Sequence, residues 1–290
     1  MSGEYRKGFL LTLAGVLAFT PDALLIRLTA VDPFTLTVGR GTLACAIIVL
    51  AYQLFVPGGF LHAFGKLGRW GVIFAGIQAT GIITFYLSFS FTSVANVLVI
   101  FACTPLIAAM FSKLLFGEGM TRSTQIAVVC VVAGLVVVAS GSLDSGQWIG
   151  DALAMVNTVI LGLGFAIIRG RRQSNLIPAT AVGLLLAALI AAAFAEFPPL
   201  RTVQWLWLIL GGAVLLPVAL SLITVGPRYL PAPEAAMLGL LETIFGPFWV
   251  WLVIGENPGW RSIVGGSIVI TVLFVHALVR FRGERAQTAR

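Results

Sequence analysis

Two stretches of this 290-residue chain decide its fold: LLFGEGMTRSTQIAVVCVVAGLVVVAS, which begins at Leu114, and LVIGENPGWRSIVGGSIVITVLFVHAL, which begins at Leu252. Aligning Leu114 with Leu252 superposes Gly117-Glu118 on Gly255-Glu256. Each Gly-Glu pair follows one apolar run and precedes another. Similarity between two distant stretches of one chain indicates an internal repeat.

A second match supports the repeat. The segment from Gly8 to Arg27 superposes on the segment from Gly150 to Arg169, and each segment begins with Gly and ends with Arg. We therefore predict two repeats, at residues 1–145 and 146–290.

Composition indicates that most of this protein is surrounded by lipid. Residues of the set AVILMFWYC make up 59% of the chain, and charged residues only 10%. Soluble domains carry about 25% charged residues, and so few charges cannot cover the surface of a soluble globule of this length. The same composition excludes a disordered or collagen-like chain. The 3 cysteines are too few for a disulfide scaffold and lack CxxC spacing.

Polar, Pro and Gly breaks divide the sequence into ten apolar runs. A bilayer core about 30 Å thick requires roughly 20 residues per helix, which is close to the length of each run. The runs lie at residues 8–29, 34–56, 70–90, 93–112, 123–140, 150–168, 178–195, 203–225, 235–254 and 261–280. We therefore predict an all-α membrane protein with ten transmembrane helices.

The basic residues predict the orientation. If both termini face the cytoplasm, 14 Lys and Arg residues lie on that side and only Arg27, Arg201 and Arg261 on the other, with Arg40 inside a run. Basic residues concentrate on the cytoplasmic side of membrane proteins, so this split requires an even number of helices. Anionic lipid headgroups then account for the net charge of +7, and no nucleic-acid partner is expected.

The predicted repeats are inverted relative to each other. Each holds five helices, and because five is odd the second repeat enters the membrane from the opposite side. Inverted repeats are typical of secondary transporters, whose two halves expose one central site to each side in turn.

These features resemble the drug/metabolite transporter superfamily, and specifically its ten-helix EamA-type exporters. The Gly-Glu pair at one helix end of each half carries the resemblance, with Pro105 in Phe-Ala-Cys-Thr-Pro-Leu-Ile of the preceding helix. The second half has Glu242 followed by Thr-Ile-Phe-Gly and Pro247, so its Pro is displaced by four residues. This stretch and the chain length are similar to bacterial amino-acid exporters, including those for aromatic amino acids.

The resemblance implies a multi-pass protein of the bacterial inner membrane that exports small metabolites by alternating access, with amino acids as the expected cargo. Its partners are then the small-molecule substrate and membrane lipid, and protons are a candidate coupling ion. No cofactor is implied, because the chain lacks a nucleotide-binding motif.

Four polar residues inside the runs are candidates for substrate binding: Gln78, Tyr86, Asn157 and Glu242. Glu242 and Gln78 lie at similar depths, and no basic residue in a neighbouring run is level with Glu242, which favours binding of a cargo ammonium or a coupled proton. The alternative for Glu242 is a protonated carboxyl bonded to a backbone carbonyl. Asn157 and Tyr86 could equally bond neighbouring helices.

A second group of residues is predicted to act in gating. Pro21 interrupts the first run, and its counterpart in the second repeat is flanked by Gly162 and Gly164. Helix-weakening residues at equivalent places indicate a transport site, although kinks and close packing explain them equally well. With a helical rise of about 1.5 Å per residue, Asp22 and Arg40 reach the same depth and can form an ion pair. A structural pair, a gate and a substrate contact are all open interpretations.

Two other functional classes remain as alternatives, an intramembrane enzyme and a passive metabolite channel. An enzyme requires a nucleophile and a base at one depth, and the sequence has no such constellation and lacks HExxH and GxSxG. A channel requires a continuous polar stripe, whereas the polar residues here are isolated. We therefore predict a transporter and not an enzyme.

Overall fold

The described part of the chain is almost entirely helical. The computed structural model describes residues 3–117 and 147–257 continuously, isolated positions between 126 and 137, and most of 259–275. Within these residues, 7 helical segments are long and apolar enough to cross a membrane, and shorter apolar helices occupy Ile177–Ala192 and Ile263–Val272. The prediction of an all-α membrane protein is confirmed. The fifth predicted run, 123–140, lies largely outside the described residues, so the count of ten stays a prediction.

Several of the membrane-length segments consist of two consecutive helices. In chain order the helices are α1 (Gly3–Phe19), α2 (Asp22–Thr29), α3 (Pro33–Phe55), α4 (Gly59–Gly65), α5 (Gly68–Phe91), α6 (Val94–Phe101), α7 (Thr104–Phe116), α8 (Trp148–Gly170), α9 (Ile177–Ala192), α10 (Thr202–Ile209), α11 (Leu216–Val225), α12 (Ala232–Leu238) and α13 (Leu240–Ile254). A π-helical segment at Leu210–Leu215 joins α10 to α11, and a 3-10 turn at Gly226–Arg228 follows α11.

Capping side chains set the start of two helices. The Asp32 carboxylate accepts hydrogen bonds from the backbone N–H groups of Phe34 and Thr35 at 3.1 and 2.8 Å, and Pro33 occupies the first turn of α3. Proline suits that position because the first turn needs no N–H donor. Ser93 caps α6 in the same manner. Both helices therefore begin where the local sequence supplies an acceptor for their free N–H groups.

The repeated Gly-Glu motif marks two equivalent helix ends. Gly117 ends α7 with a φ of 72°, and Gly255 ends α13 with a φ of 77°. Their N–H groups donate to Lys113 and Trp251 carbonyls at 2.9 and 3.0 Å. Left-handed backbone strains every residue with a Cβ, so glycine is the residue that stops a helix in this way.

The two ends of the helix bundle are identified by contacts between helix termini. At the end that holds Gly3, which we call the near end, Phe116 packs against Gly170. At the opposite, or far, end, Glu256 contacts Arg27 and the backbone of Val94. Gly117 and Gly255, the glycines of the two motifs, therefore stand at opposite ends of the bundle.

Small residues allow the helices to pack closely. A Cβ at Gly41 on α3 would lie 2.8 Å from the carbonyl oxygen of Leu184 on α9, and one at Gly183 on α9 would lie 2.6 Å from the Cβ of Gln78 on α5. Ala181 and Ala187 on α9 are fully buried. Helices in lipid associate through such close contacts because burial of apolar surface gives no driving force there.

Apolar side chains also cover the outward surface of the bundle. Large examples are Phe55 on α3, Leu114 on α7, Leu189 on α9 and Trp251 on α13, all of which are more than half exposed. Such a surface is unfavourable in water and suits contact with lipid chains.

Within the described residues, three of the predicted runs are broken helices, and a fourth, 203–225, contains the π-helical segment. Run 8–29 divides into α1 and α2 at Pro21, run 93–112 divides into α6 and α7 before Pro105, and run 235–254 is extended to Ala232 and divides at Gly239. Proline lacks the N–H donor that continues a helix, and glycine weakens one. Hydropathy detects an apolar run but not a helix break inside it.

Candidate functional site

A cavity of about 140 Å³ lies between the two halves of the chain. Its lining comes from α1, α5, α6 and α7 of the first half and from α8, α11, α12 and α13 of the second. The residues are Val16, Phe19, Gln78, Gly81, Ile82, Phe85, Tyr86, Phe101, Thr104, Asn157, Ile160, Leu161, Phe165, Leu216, Leu220, Ile223, Ala236, Gly239 and Glu242. The four predicted substrate residues, Gln78, Tyr86, Asn157 and Glu242, all line this one cavity.

Two broken helices meet at the cavity. One break separates α6 from α7 after Phe101, and the other separates α12 from α13 at Gly239. The alignment of Leu114 with Leu252 superposes these two positions, and it also superposes Thr104 on Glu242. Broken helices at equivalent places free backbone groups for contact with cargo. This pair of helix breaks was not predicted from the sequence, although Pro105 and Gly239 lie beside them and favour a break.

Glu242 stands in the first turn of α13, directly after the break. Its Oε1 atom is buried and has no hydrogen-bond partner among the described residues. The neighbouring Thr243 hydroxyl donates to the carbonyl of Leu98 at 3.1 Å and so ties α13 to α6. A buried carboxylate oxygen without a donor beside it can accept an ammonium group or a proton.

The other three cavity residues have different surroundings. Asn157 is buried, and its Oδ1 accepts a hydrogen bond from the Thr84 hydroxyl at 3.2 Å, whereas its Nδ2 has no partner in the described part of the chain. Tyr86 is buried, and Phe85 packs against it with ring centroids 5.5 Å apart. Gln78 packs its Cβ against Gly183. Asn157 on α8 and Glu242 on α13 therefore present a donor and an acceptor to the same cavity.

Asp22 and Arg40 form an ion pair with both side chains buried. Asp22 opens α2 after Pro21, and Arg40 lies two turns into α3. The guanidinium carbon of Arg40 lies 5.5 Å from the ring centre of Tyr86, so Tyr86 stands between the pair and the cavity. Neither charged residue lines the cavity.

The π-helical segment makes room for Arg40. A Cβ at Gly211 would lie 2.6 Å from the Nη2 of Arg40, and a Cβ at Gly212 would lie 2.8 Å from its Cα. Two glycines in succession therefore let this segment pass directly over the buried guanidinium. A π-helical turn inserts one extra residue into a helix and often marks a functional region.

The remaining predicted residues are placed as follows. Pro21 lies at the junction of α1 and α2, whereas α8 continues unbroken through Gly162 and Gly164. Gly162 faces Ile107 on α7, and its Cβ would lie 2.5 Å from that side chain, while Gly164 has open space beside it. None of the three lines the cavity. The equivalent helix breaks are therefore those beside Phe101 and at Gly239.

The far end of the cavity is closed by aromatic rings and an ion pair. Phe85 contacts Phe89 and Phe101 with ring centroids 4.9 and 5.6 Å apart. Beyond them, Arg27 and Glu256 form an ion pair at 3.0 Å, and Glu256 also accepts the backbone N–H of Val94 at 3.2 Å. At the near end a wide opening of about 610 Å³ reaches the surface.

The sequence matches one family model in two places. The model of the EamA-like transporter family matches residues 6–140 and again residues 148–278. A comparison with curated proteins found no match. One similar solved structure, titled "Crystal structure of protein", aligns with 94% of this chain and 97% of its own, with a TM-score of 0.73 and 18% sequence identity. At that identity the likeness supports the fold alone.

Proposed function

This chain belongs to the EamA-like transporter family, and from that premise we propose that it exports small metabolites, amino acids first among them, across the bacterial inner membrane. Transport proceeds by alternating access: the two repeats, 1–145 and 146–290, rock about the central cavity and open it to each side in turn. Both termini face the cytoplasm in this proposal, so the near end of the bundle is the cytoplasmic end.

The observation that carries the proposal is the single cavity between the halves, with two equivalent helix breaks at its wall. A site built from equivalent elements of two repeats is the arrangement that alternating access requires, because the same groups must contact cargo in both conformations. In this proposal, the closed far end corresponds to the inward-facing conformation.

The cavity chemistry supports a zwitterionic cargo with an apolar side chain. Its wall is largely apolar and includes four phenylalanine rings: Phe19, Phe85, Phe101 and Phe165. The polar groups are few, and Glu242 alone among the lining residues carries a charge. An ammonium group would bind the Glu242 carboxylate, the Nδ2 of Asn157 would donate to the cargo, and the rings would accept its side chain.

The energy source in this proposal is a gradient. With no nucleotide-binding motif in the chain, transport follows the gradient of the cargo or of a coupled ion, and the proton is the candidate because Glu242 can carry it. Glu242 would then exchange its proton for the cargo ammonium.

The experiment is counterflow and efflux of labelled amino acids from proteoliposomes, with and without a pH gradient. A carrier gives saturable flux. Glu242→Gln keeps the shape and removes the charge, so it should lower flux at least about tenfold, since a charge-assisted hydrogen bond contributes about 1.5–3 kcal/mol, and should flatten the pH dependence. Glu196→Gln, which changes an exposed carboxylate outside the cavity, is the matched control.

The outcomes separate the functional classes. Flux that rises linearly with concentration would indicate a channel. Absence of flux for every amino acid tested would refute amino-acid transport. Full activity of the Glu242→Gln variant at every pH would leave Glu242 as a structural residue.

A further inference from the structure

The near end of the bundle holds an opening that the transport site does not account for. It has a volume of about 610 Å³. Its lining comes from the first turn of α1, the end of α8 and the loop after it, the 3-10 turn that follows α11, and the start of α12. Three arginines converge there: Arg169, Arg172 and Arg228. We call this opening the basic vestibule.

The three arginines keep their charge available. Arg169 donates from Nη1 to the backbone carbonyl of Arg228 at 3.4 Å, and Arg228 donates from Nε to the backbone carbonyl of Arg172 at 2.8 Å. These acceptors are neutral, so they position two of the guanidinium groups without cancelling their charge. In the described parts of the chain, no ion pair involves any of the three.

Two carboxylates, Glu4 and Glu234, also line the vestibule. Glu234 accepts a hydrogen bond from the Tyr5 hydroxyl at 3.0 Å, and Glu4 also lines the opening. Three positive and two negative side chains leave the lining with a net positive charge.

The vestibule lies next to the central cavity along two helices. Phe165 lines the cavity and Arg169 the vestibule, and they lie one turn of α8 apart, about 6 Å along the helix axis. On α12, Glu234 faces the vestibule and Ala236 the cavity. The two spaces therefore follow each other along the same helices.

We propose that the basic vestibule is a second binding site, which takes the carboxylate of the cargo before the cargo enters the central cavity. The inference rests on the proposed function. It assigns the two charged groups of the cargo to different sites. The vestibule arginines bind the carboxylate, and Glu242 in the central cavity binds the ammonium group. Guanidinium groups suit this role because they bind a carboxylate through paired N–H donors.

The positive charge of the vestibule affects the KM for cargo. Exposed positive charge at a pore entrance raises the local concentration of anionic groups, and salt screens the effect. The vestibule therefore lowers KM for cargo that bears a carboxylate, and this advantage declines at high ionic strength. It does not act on an amine that lacks the carboxylate.

The test compares L-phenylalanine with 2-phenylethylamine, which differs only in lacking the carboxylate. Equilibrium binding is measured on purified protein in detergent, and flux is measured in proteoliposomes. The variant Arg169→Gln/Arg172→Gln/Arg228→Gln should raise Kd and KM for phenylalanine about tenfold or more, as expected for lost charge-assisted hydrogen bonds. The values for phenylethylamine should not rise, and the salt dependence of phenylalanine KM should disappear.

Arg171→Gln is the matched control. Arg171 lies in the same loop, but its guanidinium stacks on Trp70 at 4.1 Å and does not line the vestibule. This variant should leave the binding of both compounds unchanged.

The outcomes distinguish the vestibule site from the proposed transport function. Equal changes for both compounds, or no change in phenylalanine binding, overturn the vestibule site while flux continues to support the transporter. Arginine-dependent binding without any flux supports the site and contradicts the proposed function. If the triple variant instead loses bound phosphatidylglycerol and binds phenylalanine normally, the vestibule serves a lipid phosphate and the inference is wrong. Wild-type protein that neither binds nor transports phenylalanine contradicts both.

Discussion

Arg27 and Glu256 form an ion pair that joins the first half of the chain to the second, with the Nε of Arg27 3.0 Å from the Oε2 of Glu256. Arg27 also donates to the backbone carbonyl of Thr92, and Glu256 accepts the backbone N–H of Val94. The pair therefore fastens α2, the start of α6 and the end of α13 together at the far end. In this copy of the Gly-Glu motif, Gly255 ends the helix and Glu256 joins the two halves.

The first prediction is that this pair limits opening of the far end. In a Cys-free protein carrying Thr104→Cys in the cavity wall, Glu256→Gln should speed labelling by an impermeant maleimide from the far side. An exposed ion pair contributes up to about 1 kcal/mol, so we expect an increase of about fivefold or less. Both side chains are about a quarter exposed, which is why a larger effect is not expected.

Glu196→Gln serves as the control for that measurement, because Glu196 is an exposed carboxylate in the loop between α9 and α10. Labelling at the wild-type rate in the Glu256→Gln variant would show that the aromatic contacts alone keep the far end closed.

The second prediction concerns the buried pair of Asp22 and Arg40. Removing one partner leaves a charge in a site without water, so Asp22→Asn or Arg40→Gln alone should destabilise the protein by about 3–5 kcal/mol. The double variant should be less damaging than the sum of the two. Thermal unfolding in detergent is measured for the wild type, the two single variants and the double variant. Additive losses of stability would mean that the two charges do not stabilise each other.

The third prediction separates the two glycines of α8. Gly162→Ala places a Cβ against Ile107 and should destabilise the bundle by about 1–3 kcal/mol, the usual result of overpacking. Gly164→Ala meets open space and should be neutral or stabilising by up to about 1 kcal/mol, because alanine favours helix. The unfolding midpoint of Gly162→Ala should therefore lie below that of Gly164→Ala. Equal midpoints would show that α7 and α8 adjust freely.

The fourth prediction is the orientation in the membrane. On a background without Cys45, Cys103 and Cys130, a cysteine at exposed Gln173 should react only with reagents that reach the cytoplasm. A cysteine at Glu196 should react from the periplasmic side. Periplasmic labelling at Gln173 would invert the topology and place the basic vestibule outside the cell.

The sequence predicts how deep each candidate residue lies in the membrane but not which face of its helix it occupies. A helical rise of about 1.5 Å per residue placed Asp22 and Arg40 at one level, and the structure joins them in an ion pair. Gln78 and Glu242 were likewise level, and both line the cavity. The depth of a residue follows from the number of residues between it and the start of its helix. The neighbours that it contacts depend on how the helices pack.

Three features follow from the sequence alone: the membrane environment, the two repeats and the glycines that end α7 and α13. They do so because composition, internal similarity and the backbone freedom of glycine are local properties. The packing of the helices, by contrast, places the equivalent helix breaks beside Phe101 and at Gly239 and joins Glu256 to Arg27 across 229 residues of chain. Contacts between helices distant in sequence depend on crossing angles and close approach, which one chain's hydropathy does not encode.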